Sequence, residues 1–337
     1  MRDLAARRRS YLRAGLWAFI AVIVVIVGWL PIPYFIYGPG AAVSLNEAIA
    51  VPGKTPPPGV LYLTDIRLYP GRPIVYAIAY VLPGFEIVKR SDLVPPNVTD
   101  RQLNVQLADA MTESQLNAQV VAERAAGLPV RATIVYVVQG TKAKTPAARC
   151  FRAGDEIVAM DGRAFGTNDD LLRTTALHKA GTRFNLTLMR AGKDVAVTCQ
   201  TFSLSGKARF GVYIQPQTRA IKLPVNVVFH LPDVNGSSAG LMFSLQIYRT
   251  LTGADITGGK NIAGTGVLAA DGGVSAISGT REKIQAAIRA GATVFLVPVD
   301  NYKDVAGTRG ISIIPVRSFA EALHALALQR VPKSKTV

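Results

Sequence analysis

Asn235-Gly236-Ser237-Ser238-Ala239-Gly240-Leu241-Met242-Phe243 sets a hydroxyl among small residues at the entrance to an apolar run. Residues this small let another backbone approach Ser238 closely. Leu241, Leu245 and Tyr248 recur at i, i+4 and i+7, which predicts a helix that starts here and stops near Gly253. Unpaired N–H groups at a helix start point towards an incoming oxygen. The turn that presents the hydroxyl can therefore also hold a developing negative charge, with Gly236 and Ser237 as the expected support. Taken alone, the pattern reads as an ordinary N-cap serine.

A second stretch changes that reading. Ser278-Gly279-Thr280-Arg281-Glu282-Lys283-Ile284-Gln285-Ala286-Ala287 opens another helix, with Gly279 or Thr280 as cap and Gly291 near its end. Lys283 falls in the opening turn, where a cation is disfavoured, an odd place for a structural lysine but a helpful one for a base. An unperturbed lysine titrates near 10.4, so a base working near neutrality needs a depression of about three units, or about 4 kcal/mol. A helix dipole supplies at most about 2 kcal/mol. Burial must provide the rest, so Lys283 is expected to be dry. Ser238 and Lys283 together are the parts of a serine–lysine dyad, in which a neutral amine takes the hydroxyl proton. A rival scheme would join His230 and Asp233 to a serine. His230 ends a predicted strand and reads better as structural or solvated.

The N-terminal region has a different character. No residue from Ala14 to Asn46 is charged, Leu16 to Leu30 is apolar throughout, and Pro31 to Tyr37 continues the run. A bilayer core needs roughly 20 such residues in a helix. Trp17, Trp29 and Tyr34 stand near its ends, and Arg2, Arg7, Arg8, Arg9 and Arg13 precede it. Residues 1–37 are therefore expected to be a cytoplasmic tail and a single transmembrane helix, with membrane lipid around residues 14–37 and the bulk of the chain extracytoplasmic. A cleaved signal is the competing reading, and Arg8-Arg9 approaches a twin-arginine export signal. The length of the run favours an uncleaved anchor.

The formal net charge is +16, yet no arginine-rich run with interleaved aromatics follows the N-terminal tail. No nucleic-acid partner is expected, and a basic surface beside anionic lipid or wall polymer is the better reading. Cys150 and Cys199, with His178, His230 and His324 scattered, cannot build a four-ligand zinc site. One disulfide and two buried thiols both remain open.

Between these ends, residues 38–126 read as a membrane-proximal region. It has a Pro/Gly-rich loop at 52–60, a strand at Val60–Ile66, a strand or short helix at Pro73–Ala79, and a closing helix at Leu103–Ala126. A β-rich block at 127–204 follows, with strands at Ala132–Val138, Phe184–Arg190 and Val195–Cys199 and a helix at Thr167–Lys179. Arg152-Ala153-Gly154-Asp155-Glu156-Ile157-Val158-Ala159-Met160-Asp161-Gly162, in this order of elements, resembles a bacterial PDZ domain. The resemblance implies an extended peptide added to a sheet edge, gripped by a loop near Gly127-Leu128-Pro129-Val130. Residues 205–330 read as α/β or α+β, with strands at Thr293–Pro298 and Ile311–Val316. A capping box at Ser318–Glu321 opens a final helix over Phe319–Leu328, and 331–337 form a basic tail.

The serine loop, Ile262-Ala263-Gly264-Thr265-Gly266-Val267, the Lys283 stretch and Phe295-Leu296-Val297-Pro298 together resemble the proteolytic domain of Lon. With the anchor and the PDZ-like block in front, the chain resembles the membrane-anchored bacterial PDZ–Lon peptidases. That resemblance implies Ser238 as nucleophile, Lys283 as general base and Thr265 as the hydroxyl that bonds the lysine amine. It implies a membrane-anchored serine endopeptidase that needs no cofactor and cuts unfolded polypeptides or exposed termini. By analogy it also implies assembly of like subunits. Two positions depart from the family pattern: Ser237 stands where proline is usual, and Ser278 where a second glycine is usual. The nearest phosphate-loop candidate, Gly253 to Asn261, has glycines one residue too far apart and no magnesium-binding hydroxyl. Cleavage independent of ATP is the expectation. The alternative is a non-catalytic adaptor, a PDZ module on a degenerate Lon-type scaffold.

Overall fold

The computed structural model describes residues 2–82, 84–94, 98–231 and 234–328, with side chains from Gly15 onward except at 39, 220 and 221. The chain begins with helix α1 (Arg2–Gly28), on which Leu16, Trp17, Phe19 and Ile23 are exposed. Among the described residues no helix is long and apolar enough to cross a membrane. The side chains of residues 2–14, with the five arginines of the orientation argument, lie outside the described set, as does the 331–337 tail.

The second half of the apolar run is not an anchor. Pro31 and Pro33 stop helical geometry, and Tyr34–Ser44 forms strand β1, where Ile36 is 0% exposed. Strand β2 (Val60–Pro70) lies antiparallel to β1, with Phe35 opposite Pro70 and Ser44 opposite Tyr62. Helix α2 (Pro73–Val81) starts on a proline at its first position, which settles the strand-or-helix question at Pro73–Ala79. Strand β3 (Glu86–Lys89) pairs with the other edge of β1. Helix α3 (Asp100–Ala125) opens with a capping box between Thr99 and Gln102. It closes at Gly127, whose φ of +78° lets Leu128 N donate to Glu123 O at 3.0 Å.

The β-rich block follows as strands β4 (Arg131–Thr141) and β5 (Glu156–Met160), helix α4 (Asp170–Ala176), and strands β6 (Arg183–Arg190), β7 (Lys193–Gln200) and β8 (Val212–Lys222). The sheet order is β8-β4-β5-β6-β7, antiparallel throughout. Ala191 and Gly192, at φ of 48° and 77°, make the tight β6–β7 turn. Cys150 and Cys199 are disulfide-bonded, so the open choice resolves to a bridge. The block does not end at 204, because β8 pairs along its length with β4.

The rest of the chain contributes helix α5 (Gly240–Thr252), strand β9 (Asn261–Gly264), the short hairpin of β10 (Val267–Leu268) and β11 (Val274–Ser275), and helix α6 (Thr280–Arg289). Strands β12 (Val294–Pro298) and β13 (Ser312–Val316) and helix α7 (Phe319–Leu328) complete it. The large sheet runs β13-β12-β9-β2-β1-β3, parallel from β13 to β2 and antiparallel beyond. Its order overturns the expected separate membrane-proximal region. Half of the sheet comes from residues before the β-rich block, and Leu61 and Leu63 share one core with Met242, Leu245, Ile262 and Leu296. Leu45, Ala48, Ile49 and Val51 also bury into this shared core. Parallel strands buried on both faces read as continuous apolar runs, as Val294-Phe295-Leu296-Val297 does.

Candidate active site

The parallel strands β2 and β9 run in register, with Gly264 opposite Leu63. Thr265 therefore follows the carboxyl end of β9 at the level of Asp65, which lies in mid-β2 just past the last residue paired with β9. Functional groups in open α/β sheets gather at this end.

Ser238 sits in the turn before α5. Its carbonyl oxygen accepts from Gly266 N at 2.8 Å and from Thr265 Oγ1 at 3.0 Å. A Cβ on Gly240 would stand 2.9 Å from both Ser114 Oγ and Leu268 Cβ, so only glycine fits against α3 and β10. Gly236 adopts a φ of +94° and donates its N–H to Leu107 O at 2.9 Å. That donor is already engaged, so Gly236 shapes the turn and has no N–H left for an oxyanion. The Ser237 carbonyl accepts from Ser114 Oγ at 3.1 Å, tying the turn to α3.

Lys283 reaches the same point from α6. Gly279 caps that helix at a φ of +70°, and a Cβ there would lie 2.9 Å from Ile66 Cδ1. Lys283 is 3% exposed, with Nζ 2.5 Å from Ser238 Oγ and 3.2 Å from Thr265 Oγ1. Burial pulls its pKa down to about 8, against an opposing pull from the Asp65 carboxylate. The Thr265 hydroxyl proton is committed to Ser238 O, so this hydroxyl can only accept from the amine. That leaves the amine lone pair free to face Ser238 Oγ.

Ser238, Lys283 and Thr265 are thus brought together, and Gly236 and Ser237 share the turn. The rival scheme is not assembled by the described residues. His230 lines a separate surface cleft with Ser44 and Glu47, and Asp233 lies outside the described set. Two relevant groups escaped the sequence reading. Asp65 has its pKa raised by burial, and Ser114 holds the nucleophile turn. A signal for Asp65 existed: it continues the buried Leu61–Leu63 face of β2 at period two, an acid on an apolar face.

The phosphate-loop candidate is closed to phosphate. Asp255 Oδ1 accepts from Thr257 N at 3.1 Å and Gly258 N at 2.8 Å, so a carboxylate already holds the N–H groups an anion would need. The expected peptide loop near Gly127 is also corrected. Strand β4 is paired with β8 on one side and β5 on the other, while β8 ends the sheet order and pairs, among the described residues, with β4 alone.

The fold joins a domain that carries the buried Ser238–Lys283 pair to a β-rich domain. Residues 215–327 match the model of the Lon protease (S16) C-terminal proteolytic domain, and residues 103–201 match the PDZ domain model. The chain carries both domains. It is 33% identical over 149 residues to Lon protease of Chloroflexus aggregans, covering 42% of this chain and 17% of that protein. It is 36% identical over 131 residues to Lon protease of Xanthomonas oryzae pv. oryzae, covering 34% and 15%. The chain thus spans less than a fifth of the length of these relatives. The PDZ domain of an SdrC-like protein from Listeria innocua matches with a TM-score of 0.23 at 21% identity, over 24% of this chain and 92% of that one.

Proposed function

We propose that this protein is a membrane-anchored, extracytoplasmic serine endopeptidase that works without ATP. Ser238 is the nucleophile, Lys283 the general base, and the PDZ domain engages the substrate polypeptide. The observation that carries the reading is the 2.5 Å approach of a buried Lys283 Nζ to Ser238 Oγ.

The reaction follows from that geometry. Neutral Lys283, oriented by Thr265, takes the Ser238 proton as Oγ attacks the scissile carbonyl. The tetrahedral oxyanion forms at the start of α5, where backbone N–H groups and the helix dipole favour negative charge. The Lys283 ammonium then protonates the leaving amine, and a water that gives its proton to the now neutral Lys283 attacks the acyl group and releases it from Ser238. The close pair counts against a non-catalytic adaptor, in which nothing would hold a buried amine against a hydroxyl.

The finer points have their own support. The exposed apolar side chains of α1 suit a lipid environment. The Cys150–Cys199 bridge suits an oxidising compartment. Among the described residues no further strand pairs with the outer edge of β8, which suits strand addition by an extended tail. The occupied Asp255 turn supports cleavage without nucleotide.

Ser238→Ala should abolish cleavage of an unfolded test protein, a loss on the order of a millionfold. Retained turnover in that variant, assayed by gel and mass spectrometry, would remove the dyad.

A further inference from the structure

Resting on the peptidase reading above, we propose that the cleft at the amino end of α6, the helix that carries Lys283, takes a basic side chain, lysine or arginine, of the polypeptide being cut. The cleft holds about 920 Å³ between the β1–β3 edge and the amino end of α6. Tyr37, Phe85, Glu86, Val88, Ser278 and Glu282 are among the residues that line it. Glu282 precedes Lys283 on α6, and Ser238, Thr265 and Lys283 are not among the residues that line the cleft.

The chemistry on its wall is unbalanced. Glu282 is 5% exposed, and its Oε2 is buried without a hydrogen-bond partner among the described residues. A buried carboxyl oxygen left unpaired is costly unless something fills the demand. The cationic groups on the rim are turned elsewhere: Arg281 Nε donates to Asp304 O at 3.3 Å, and Arg289 Nη2 to Gly40 O at 3.1 Å. Burial raises the Tyr37 pKa, an effect that the Ser278 side chain opposes and the Glu86 and Glu282 carboxylates reinforce. Glu86 and Glu282 line the same cleft. Burial raises Glu282 towards its neutral form, an effect that Glu86 reinforces and Arg281 opposes.

Arg281 and Arg289 line the cleft but are bonded to carbonyl oxygens, so neither satisfies Glu282 Oε2. An ammonium or guanidinium on a flexible stem fits, with the stem along Phe85 and Val88 and the head group at Glu282. The serine at position 278, where a second glycine is usual in the resemblance drawn above, supplies a hydroxyl to this wall. A site built around a hydrogen-bonded charge rejects an analogue without it far more sharply than an apolar pocket rejects a missing methylene.

The test uses the full chain in detergent, carrying Ser238→Ala so that nothing is cut. Fluorescent, unstructured peptides with a central arginine are compared by anisotropy with the same peptides carrying citrulline, its neutral isostere. Arginine peptides should bind at least about tenfold more tightly, and Glu282→Gln should shrink that preference below about threefold. Glu86→Gln, on the exposed rim, should shrink it in part and serves if circular dichroism shows Glu282→Gln misfolded. Equal binding of the two peptides, or an undiminished preference in a folded Glu282→Gln protein, overturns the proposal. With the wild type, cuts mapped in an unfolded protein should fall at a fixed register from Lys or Arg. An arginine preference in binding with no cleavage by the wild type would leave the site standing and remove the peptidase reading.

Discussion

Lys283 concentrates the energetics of the site. Only the neutral amine can accept the Ser238 proton, so activity should rise with pH along a limb whose midpoint lies near the folded value of about 8. Asp65 stabilises the ammonium, so Asp65→Asn should lower the Lys283 pKa and move that midpoint to lower pH. A pH–rate profile checks both, and a midpoint unmoved by Asp65→Asn would mean that the carboxylate does not act on the amine. The same burial strains the fold. Depression from 10.5 to about 8 works against folding below pH 8 and is relieved as pH rises towards 10.5. The cost at neutrality is roughly 3 kcal/mol. Lys283→Met should therefore be inactive yet melt at higher temperature at pH 7, with the gain shrinking above pH 8. Thermal melts at pH 7 and pH 10 measure it.

At the scale of elements, two helices are aimed by glycines. Gly279 combines a positive φ with a neighbour at 2.9 Å, so Gly279→Ala strains the backbone and pushes on Ile66. It should cost about 1–3 kcal/mol by denaturant unfolding and lower kcat by displacing α6. Both helices were legible because each begins with small or turn-forming residues and continues at helical period. Strands β12, β6 and β7 were legible from apolar runs or alternation. β1 was not. Phe35, Ile36 and Tyr37 follow a lipid-like run without a polar break, and composition cannot distinguish an apolar strand inside a sheet from the end of a membrane helix. Pro31 and Pro33 were the available clue, since a helix does not continue through both.

At the scale of the molecule, the sequence suggested beads on a string: anchor, proximal region, PDZ, peptidase. The chain instead leaves the large sheet after β3, builds the PDZ domain, and returns to finish the sheet. Pairing between distant strands leaves no local mark, so only the dyad and the separate motifs could be read. Expressing residues 205–330 alone should give an aggregated or unfolded product, because β9 would lose β2 and the core would lose Leu61 and Leu63. Cooperative thermal unfolding of that fragment would contradict this. Asn117 on α3 accepts from Thr218 Oγ1 at 2.5 Å and donates to Leu268 O at 3.0 Å, joining β8 to the peptidase hairpin.

Asn117 of α3, bonded to Thr218 and to Leu268, ties β8 to the other domain, and on the function proposed above this fixes how a captured tail is delivered. A module on one flexible tether sweeps a volume, and its effective concentration at a target depends on tether length. A module clamped in this way behaves as a rigid ruler. The distance along a substrate from its bound end to its severed bond then becomes a constant built into the enzyme, and chains too short to span it gain nothing from being held.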